Sequence, residues 1–294
     1  MQNSERYFLN GIIRYFKPAK ILEVGVAHGG GSALILNAIK DLDSRLISVD
    51  YCEKYYAGGE DNNKLSGWLV DEKFSNLTDK WQIYRGGDIS RFIERIGGDI
   101  DLLVLDTAHI HPWETLNFLC VLPFMKRNSL CVLHDVSLNY LQGRENDLAC
   151  RYLYSTVISD YKIMPEPEEN YIPHFANIGA FRIIDDTYKY IQNLFEILLY
   201  KWEAMPFVYD KKIFPYATPI LPEDIDSIKN VFAKYYPDYM KFFDNVIDYQ
   251  RGIVNHIIDT YNREYKTFKG IWKHYFPLSF ITLRKIKHIL TGIK

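Results

Sequence analysis

The sequence predicts an α/β protein: a doubly wound sheet of seven strands followed by a mostly helical C-terminal appendage. Two observations predict it. From Lys20 to about Ile184, short apolar runs alternate with helical or loop stretches, the pattern of strands joined by crossover helices. Two of those runs, LLVL at 102–105 and LCVL at 130–133, are apolar at every position, as central parallel strands covered on both faces must be.

The strands are expected at 21–24, 46–49, 81–84, 102–105, 130–133, 161–164 and 178–184. Between the last two lies PEPEENYIPHFAN, too rich in proline for a regular helix and therefore a loop over one sheet edge. It is a candidate substrate loop, with Glu168 and His174 read as solvated side chains. After Asp186 the character changes. Stretches such as YKYIQNLFEILLYKW repeat apolar residues at helical spacing, so the chain divides into 1–186 and a helical appendage, 187–294.

Thirty-five basic residues against thirty-seven acidic ones leave a formal charge of -2, which argues against a nucleic-acid partner. Cys52, Cys120, Cys131 and Cys150 are scattered without a C-x-x-C pair and read as reduced thiols. The opening residues lack the apolar run of a secretory signal and no run of membrane-spanning length follows, so a cytoplasmic protein is expected.

ILEVGVAHGGGS joins a strand carrying Glu23 to Gly25, the run Gly29, Gly30, Gly31, and a helix opening at Ser32. Glycines permit a tight turn and close approach to a ligand, and a helix start offers unpaired N–H groups. The spacing is not G-x-G-x-x-G, so the usual dinucleotide fingerprint is unmatched. Asp50 ends the second strand about 25 residues after Gly25, where a carboxylate can accept from ribose hydroxyls. Asp88 follows the third strand in RGGDIS, within reach of an adenine amino group. The fourth and fifth strands end in LVLDTAHIHPWE and LCVLHDVS, which brings Asp106, His109, His134 and Asp135 to the carboxyl edge of the sheet. Carboxylates there can hold a divalent cation, and His109 can take a proton near neutrality, with His111 or Tyr140 as substitutes. The plainer alternatives are that Asp106 and Asp135 cap helices and that His134 is a satisfied core histidine.

The succession E-V-G-x-x-x-G-G-G-S, S-V-D and G-D-I, over about residues 1–186, resembles the first three motifs of the class I S-adenosylmethionine-dependent methyltransferases, whose sheet is Rossmann-like. The resemblance implies that Glu23, Gly25, Gly29, Gly31 and Ser32 hold the methionine end of S-adenosylmethionine, Asp50 its ribose and Asp88 its adenine. D-x-x-H, x-x-W-E and the turn L-P-F-M-K are similar to the metal-assisted sugar and natural-product O-methyltransferases, including the macrolide sugar and cephalosporin-type enzymes. That likeness implies Mg2+ or Mn2+ at Asp106, Asp135 and His134, a catalytic pair in Asp106 and His109, and a sugar or glycan hydroxyl as acceptor. Those enzymes carry an acidic pair or Asp-Asn at the strand-five position; here it is His134-Asp135, a departure from all-oxygen ligation.

Two other functions compete. A NAD-dependent oxidoreductase or epimerase would use a similar sheet, but the third glycine is out of place and no Tyr-x-x-x-Lys pair follows strand four within the sheet region. A non-catalytic nucleotide-binding scaffold would make the appendage the working part. The ending IWKHYFPLSFITLRKIKHILTGIK is basic and amphipathic, so it suits either peripheral contact with an anionic membrane or docking on its own domain or a second copy in a homo-oligomer.

Overall fold

The computed structural model describes residues 1–56, 60–145, 147–167, 172, 175–206 and 219–265. At its centre is a seven-stranded sheet of β1 (Lys20–Val24), β2 (Arg45–Asp50), β3 (Trp81–Arg85), β4 (Ile100–Leu105), β5 (Met125–His134), β6 (Lys162–Ile163) and β7 (Ile178–Arg182). Their order is β3-β2-β1-β4-β5-β7-β6. All pairings among β1 to β5 are parallel, whereas β7 runs antiparallel between β5 and β6. The doubly wound sheet is thus mixed, because β7 runs opposite to both of its neighbours.

Alternation along each strand builds two cores. Ile21, Leu46, Leu102, Val104, Leu130 and Val132 face α1 (Asn3–Phe16), α2 (Gly30–Ile39) and α3 (Trp68–Lys73). Their neighbours Leu22, Ile47, Leu103, Leu105, Cys131 and Leu133 face α4 (Ile93–Ile96), α5 (Trp113–Val121) and α6 (Ala149–Thr156). Nearly every one of these side chains is fully buried, each worth about 1.5–3 kcal/mol of transfer free energy.

Among the described residues, the region after 186 is mostly helical, as expected, with α7 (Asp185–Lys189), α8 (Gln192–Ile197), α9 (Pro222–Tyr235) and α10 (Met240–Tyr265). It also holds a short parallel pair, β8 (Met205–Pro206) with β9 (Pro219–Ile220), which no sequence pattern announced. Leu194, Phe195, Ile228, Phe232 and Phe243 belong to the same apolar cluster as Leu103 and Leu116, so packing continues across the change in sequence character at 186. The four cysteines are free thiols. Among the described residues no helix is long and apolar enough to cross a membrane. The basic ending from Trp272 onward lies outside the described residues, as do Glu168 and His174.

Candidate active site at the carboxyl edge of the sheet

The ends of β1, β2, β3 and β4 surround a cleft of about 550 Å³. Asp50, Tyr51, Asp88, Asp106, His109 and Trp113 line it. Parallel strands leave all their carboxyl ends on one edge, which is why residues far apart in sequence converge there.

The turn after β1 forms one wall. Gly25 has φ +94°, and a Cβ there would sit 1.8 Å from the backbone oxygen of Asp106, so glycine is required by the approach of β4 as well as by the turn. Asp50 stitches this turn to β2: Oδ2 accepts from the N–H groups of Val26 (2.9 Å) and Ala27 (2.8 Å), and Oδ1 from Cys52 N–H (2.8 Å). Three of about four carboxylate acceptor positions are thereby taken, leaving one for a ligand donor. Asp88 lines the cleft while accepting from Ser90 N–H at 2.9 Å. Burial raises its carboxyl to about 6.

Four residues implied by the sequence to touch the cofactor stand behind this wall. Glu23 is buried and accepts from Ser32 Oγ (2.6 Å) and Ser48 Oγ (2.7 Å), and burial raises it to about 7. Its oxygen would lie 2.9 Å from a Cβ on Gly31. Gly29, at φ +99°, turns the chain past the backbone of Gly67. Glu23, Gly29, Gly31 and Ser32 are not among the residues that line the cleft.

The end of β4 opens onto a charged cluster. Asp135 Oδ2 lies 2.9 Å from His109 Nε2 and 3.2 Å from His134 Nδ1, and Asp106 Oδ1 lies 3.2 Å from the same Nδ1. His134 Nε2 meets Glu5 Oε2 of α1 at 3.2 Å. Asn177, ending the Pro-rich connection, donates from Nδ2 to Asp135 Oδ1 and accepts from Ser137 N–H. Glu114 of α5 accepts from the His109 backbone N–H at 2.6 Å and from Thr107 Oγ1 at 2.9 Å, which holds His109 in its left-handed conformation at φ 60°. Asp106 and His109 are the members of the cluster that reach the cleft.

The charges set the protonation. Burial works against a charged His109, but the hydrogen bond to Asp135 and the charges of Asp135, Asp106 and Glu114 outweigh it and raise the imidazole to about 9. His134 is likewise raised well above its ordinary range against burial, chiefly by Asp106. Asp135 is pulled far below the carboxylate range, burial being outweighed by the two histidines. His109 therefore holds its proton at neutral pH in the ligand-free protein, and as it stands is a donor rather than a base.

The cluster also fits a divalent cation. Ligand atoms of Asp106, His134 and Asp135 lie within 4.8 Å of one another. His134 Nδ1 is buried without directional hydrogen bonding to either carboxylate, although both are close, and Glu5 stands behind Nε2 as a carboxylate that can fix the ring. Two carboxylates and an imidazole suit manganese better than magnesium. The helix-capping alternative is not met: the residues before α5 and α6 are Pro112 and Leu148.

The two substitute bases are not brought to the cleft. His111 is buried, and burial lowers it to about 4, while Tyr140 is exposed and stacks on Phe175 at 4.3 Å. Glu5, Asn177 and Tyr51 were not singled out by the sequence motifs, and Glu114, the acid of x-x-W-E, was given no role by them. A signal existed for Glu5, which shares the buried stripe of α1 with Leu9, Ile12 and Ile13.

Among solved structures, the chain is similar to the O-methyltransferase TomG of Streptomyces achromogenes, involved in tomaymycin synthesis and in complex with SAM (15% identity, TM-score 0.47, covering 63% of this chain and 81% of that one). It is similar also to an O-methyltransferase from Bacillus cereus in complex with SAH (14% identity, TM-score 0.43, 62% and 82% covered). SAH-bound methyltransferase PaMTH1 of Podospora anserina gives 14% identity and TM-score 0.47, with 63% and 80% covered. No curated protein matches the chain. Residues 22–136, which run from β1 to just past β5 and carry both the cleft and the charged cluster, match the family model described as a methyltransferase domain.

Proposed function

We propose that the chain is an S-adenosylmethionine-dependent O-methyltransferase that transfers a methyl group to a hydroxyl of a sugar, glycan or natural product, with a divalent cation at Asp106, His134 and Asp135. The observation that carries this reading is the adjoining of two sites on one sheet edge. A cleft lined by Asp50 and Asp88 opens at Asp106 and His109 onto a cluster whose donor set fits a cation.

Transfer from a sulfonium requires an aligned acceptor oxygen and the loss of its proton more than covalent chemistry on the protein. Asp50 and Asp88 would orient the nucleoside, and the remaining acceptor position of Asp50 suits a ribose hydroxyl. Asp106 and His109 face the cleft where the acceptor would stand. A bound divalent cation would supply positive charge that acidifies the acceptor hydroxyl and offsets the carboxylates that keep His109 protonated. His109 would then take the proton through Nε2. A second reading rests on the 2.9 Å pairing of His109 with Asp135: the histidines themselves neutralise the aspartates, and the enzyme works without a cation.

Calorimetric titration with S-adenosylhomocysteine, then with Mn2+ before and after chelation, tests the first two parts. Labelled methyl transfer across hydroxylated sugars and polysaccharide fragments tests the third. Absence of homocysteine-nucleoside binding would remove the proposal, and full transfer activity after exhaustive chelation would leave the cation-free reading.

A further inference from the structure

The appended helix α9 reaches the cleft through one side chain. Asp224, in its first turn, is 0% exposed, and its carboxylate is shared between two cleft walls. Tyr51, the residue after Asp50, donates its hydroxyl to Asp224 Oδ2 at 2.9 Å. Arg91, in the turn capped by Asp88, pairs with Asp224 Oδ1. Oδ2 also accepts from Leu221 N–H at 3.3 Å. A carboxylate so deeply buried persists only when paired and hydrogen-bonded, and here its side-chain partners come from the segments that follow β2 and β3.

Tyr51 lines the cleft next to Asp50; the residue is 39% exposed and its ring lies 5.8 Å from the ring of Trp113. A half-exposed tyrosine would otherwise sample several rotamers, and ordering it on binding would weaken affinity. With its hydroxyl tied to Asp224 the ring is already fixed as a wall. The same carboxylate anchors Arg91, three residues beyond Asp88, so both sides of the nucleoside end are referred to one point on α9.

We infer that Asp224 is a positioning residue for the binding of adenosine-bearing ligands, and that helix α9 of the appendage is a working part of the nucleoside site. The inference rests on the cofactor reading given above and adds to it the role of a segment outside residues 22–136.

The test is calorimetric titration of the full chain with S-adenosylhomocysteine for wild type, Tyr51→Phe, Asp224→Asn and the double variant. Tyr51→Phe keeps the ring and removes only the tether. It is expected to weaken binding about three- to tenfold, the cost of ordering one side chain, with the thermal midpoint of the ligand-free protein close to wild type. Asp224→Asn should weaken binding at least as much, and the double variant no further than Asp224→Asn alone, because both changes cut one interaction. Should Asp224→Asn fold poorly, Tyr51→Phe decides the matter by itself. Wild-type binding accompanied by unchanged affinity in Tyr51→Phe would overturn the inference alone. A wild type that does not bind the ligand would overturn the cofactor reading and this inference with it.

Discussion

His109 is held at about 9 against an ordinary value of 6.5, and that difference makes it a stability reporter as well as a candidate base. By linkage, that difference corresponds to about 3 kcal/mol. The His109 side chain is only 19% exposed, so solvent screening is modest. Because the folded protein binds this proton more tightly than the unfolded chain, the contribution is fully present below about pH 6.5 and is lost as pH rises through about 9. The perturbation is therefore a pH series from 6 to 10 on chelator-treated protein, comparing wild type with His109→Gln, which cannot titrate. Urea unfolding should show wild type exceeding the variant at pH 6, with the gap shrinking by about 3 kcal/mol by pH 10. Proton NMR of the imidazole Cε1–H should place the midpoint near 9. A midpoint near 6.5 with parallel stability curves would refute the reasoning, and would return His109 to service as a base at neutral pH without any cation.

Gly25→Ala drives a Cβ into the Asp106 carbonyl at 1.8 Å and forces an L-residue to φ +94°, so denaturant unfolding should show a loss on the order of 3 kcal/mol or more. Asp50→Asn turns an NH2 group toward amides that now donate to a carboxylate; S-adenosylhomocysteine affinity should fall by about 1.5–3 kcal/mol by calorimetry, with part of the effect appearing as a lower thermal midpoint. Asp135→Asn should abolish calorimetric Mn2+ binding, and retention of wild-type affinity would remove Asp135 from the ligand set. Glu5→Gln should weaken Mn2+ binding about 10–100-fold, since it removes the carboxylate behind His134 Nε2; an unchanged affinity would make Glu5 a purely structural partner.

What the sequence makes legible is what strand order and strand ends determine. Asp50, Asp88, Asp106 and Asp135 each sit at or just beyond a strand's carboxyl end, and a parallel sheet puts those ends on one edge whatever the loops do. The direction a motif residue faces is harder to read. Glu23 lies two residues after Ile21 and so points to the same face, beneath α2, where Ser32 and Ser48 donate to it. The protonation of His109 was beyond motif reading, because it depends on three carboxylates, one of them from α5, converging on one ring. Its pattern suggests a base; its surroundings make it an acid until their charge is offset.

Partners supplied across long sequence separations were equally hidden, yet two of them left a trace. Glu5 and Asp224 both fall on the apolar stripe of an amphipathic helix, with Leu9, Ile12 and Ile13 in α1 and with Ile225, Ile228 and Val231 in α9. An acid on a buried stripe is costly unless it meets a cation or a donor, so each such position announces that a partner exists somewhere on the facing surface. Glu5 meets His134 and Asp224 meets Arg91 and Tyr51. Both acids serve the carboxyl edge of the sheet, Glu5 through the charged cluster and Asp224 through Tyr51 and Arg91. That is where helices of both faces must be registered against the strand ends if the cleft is to keep its shape.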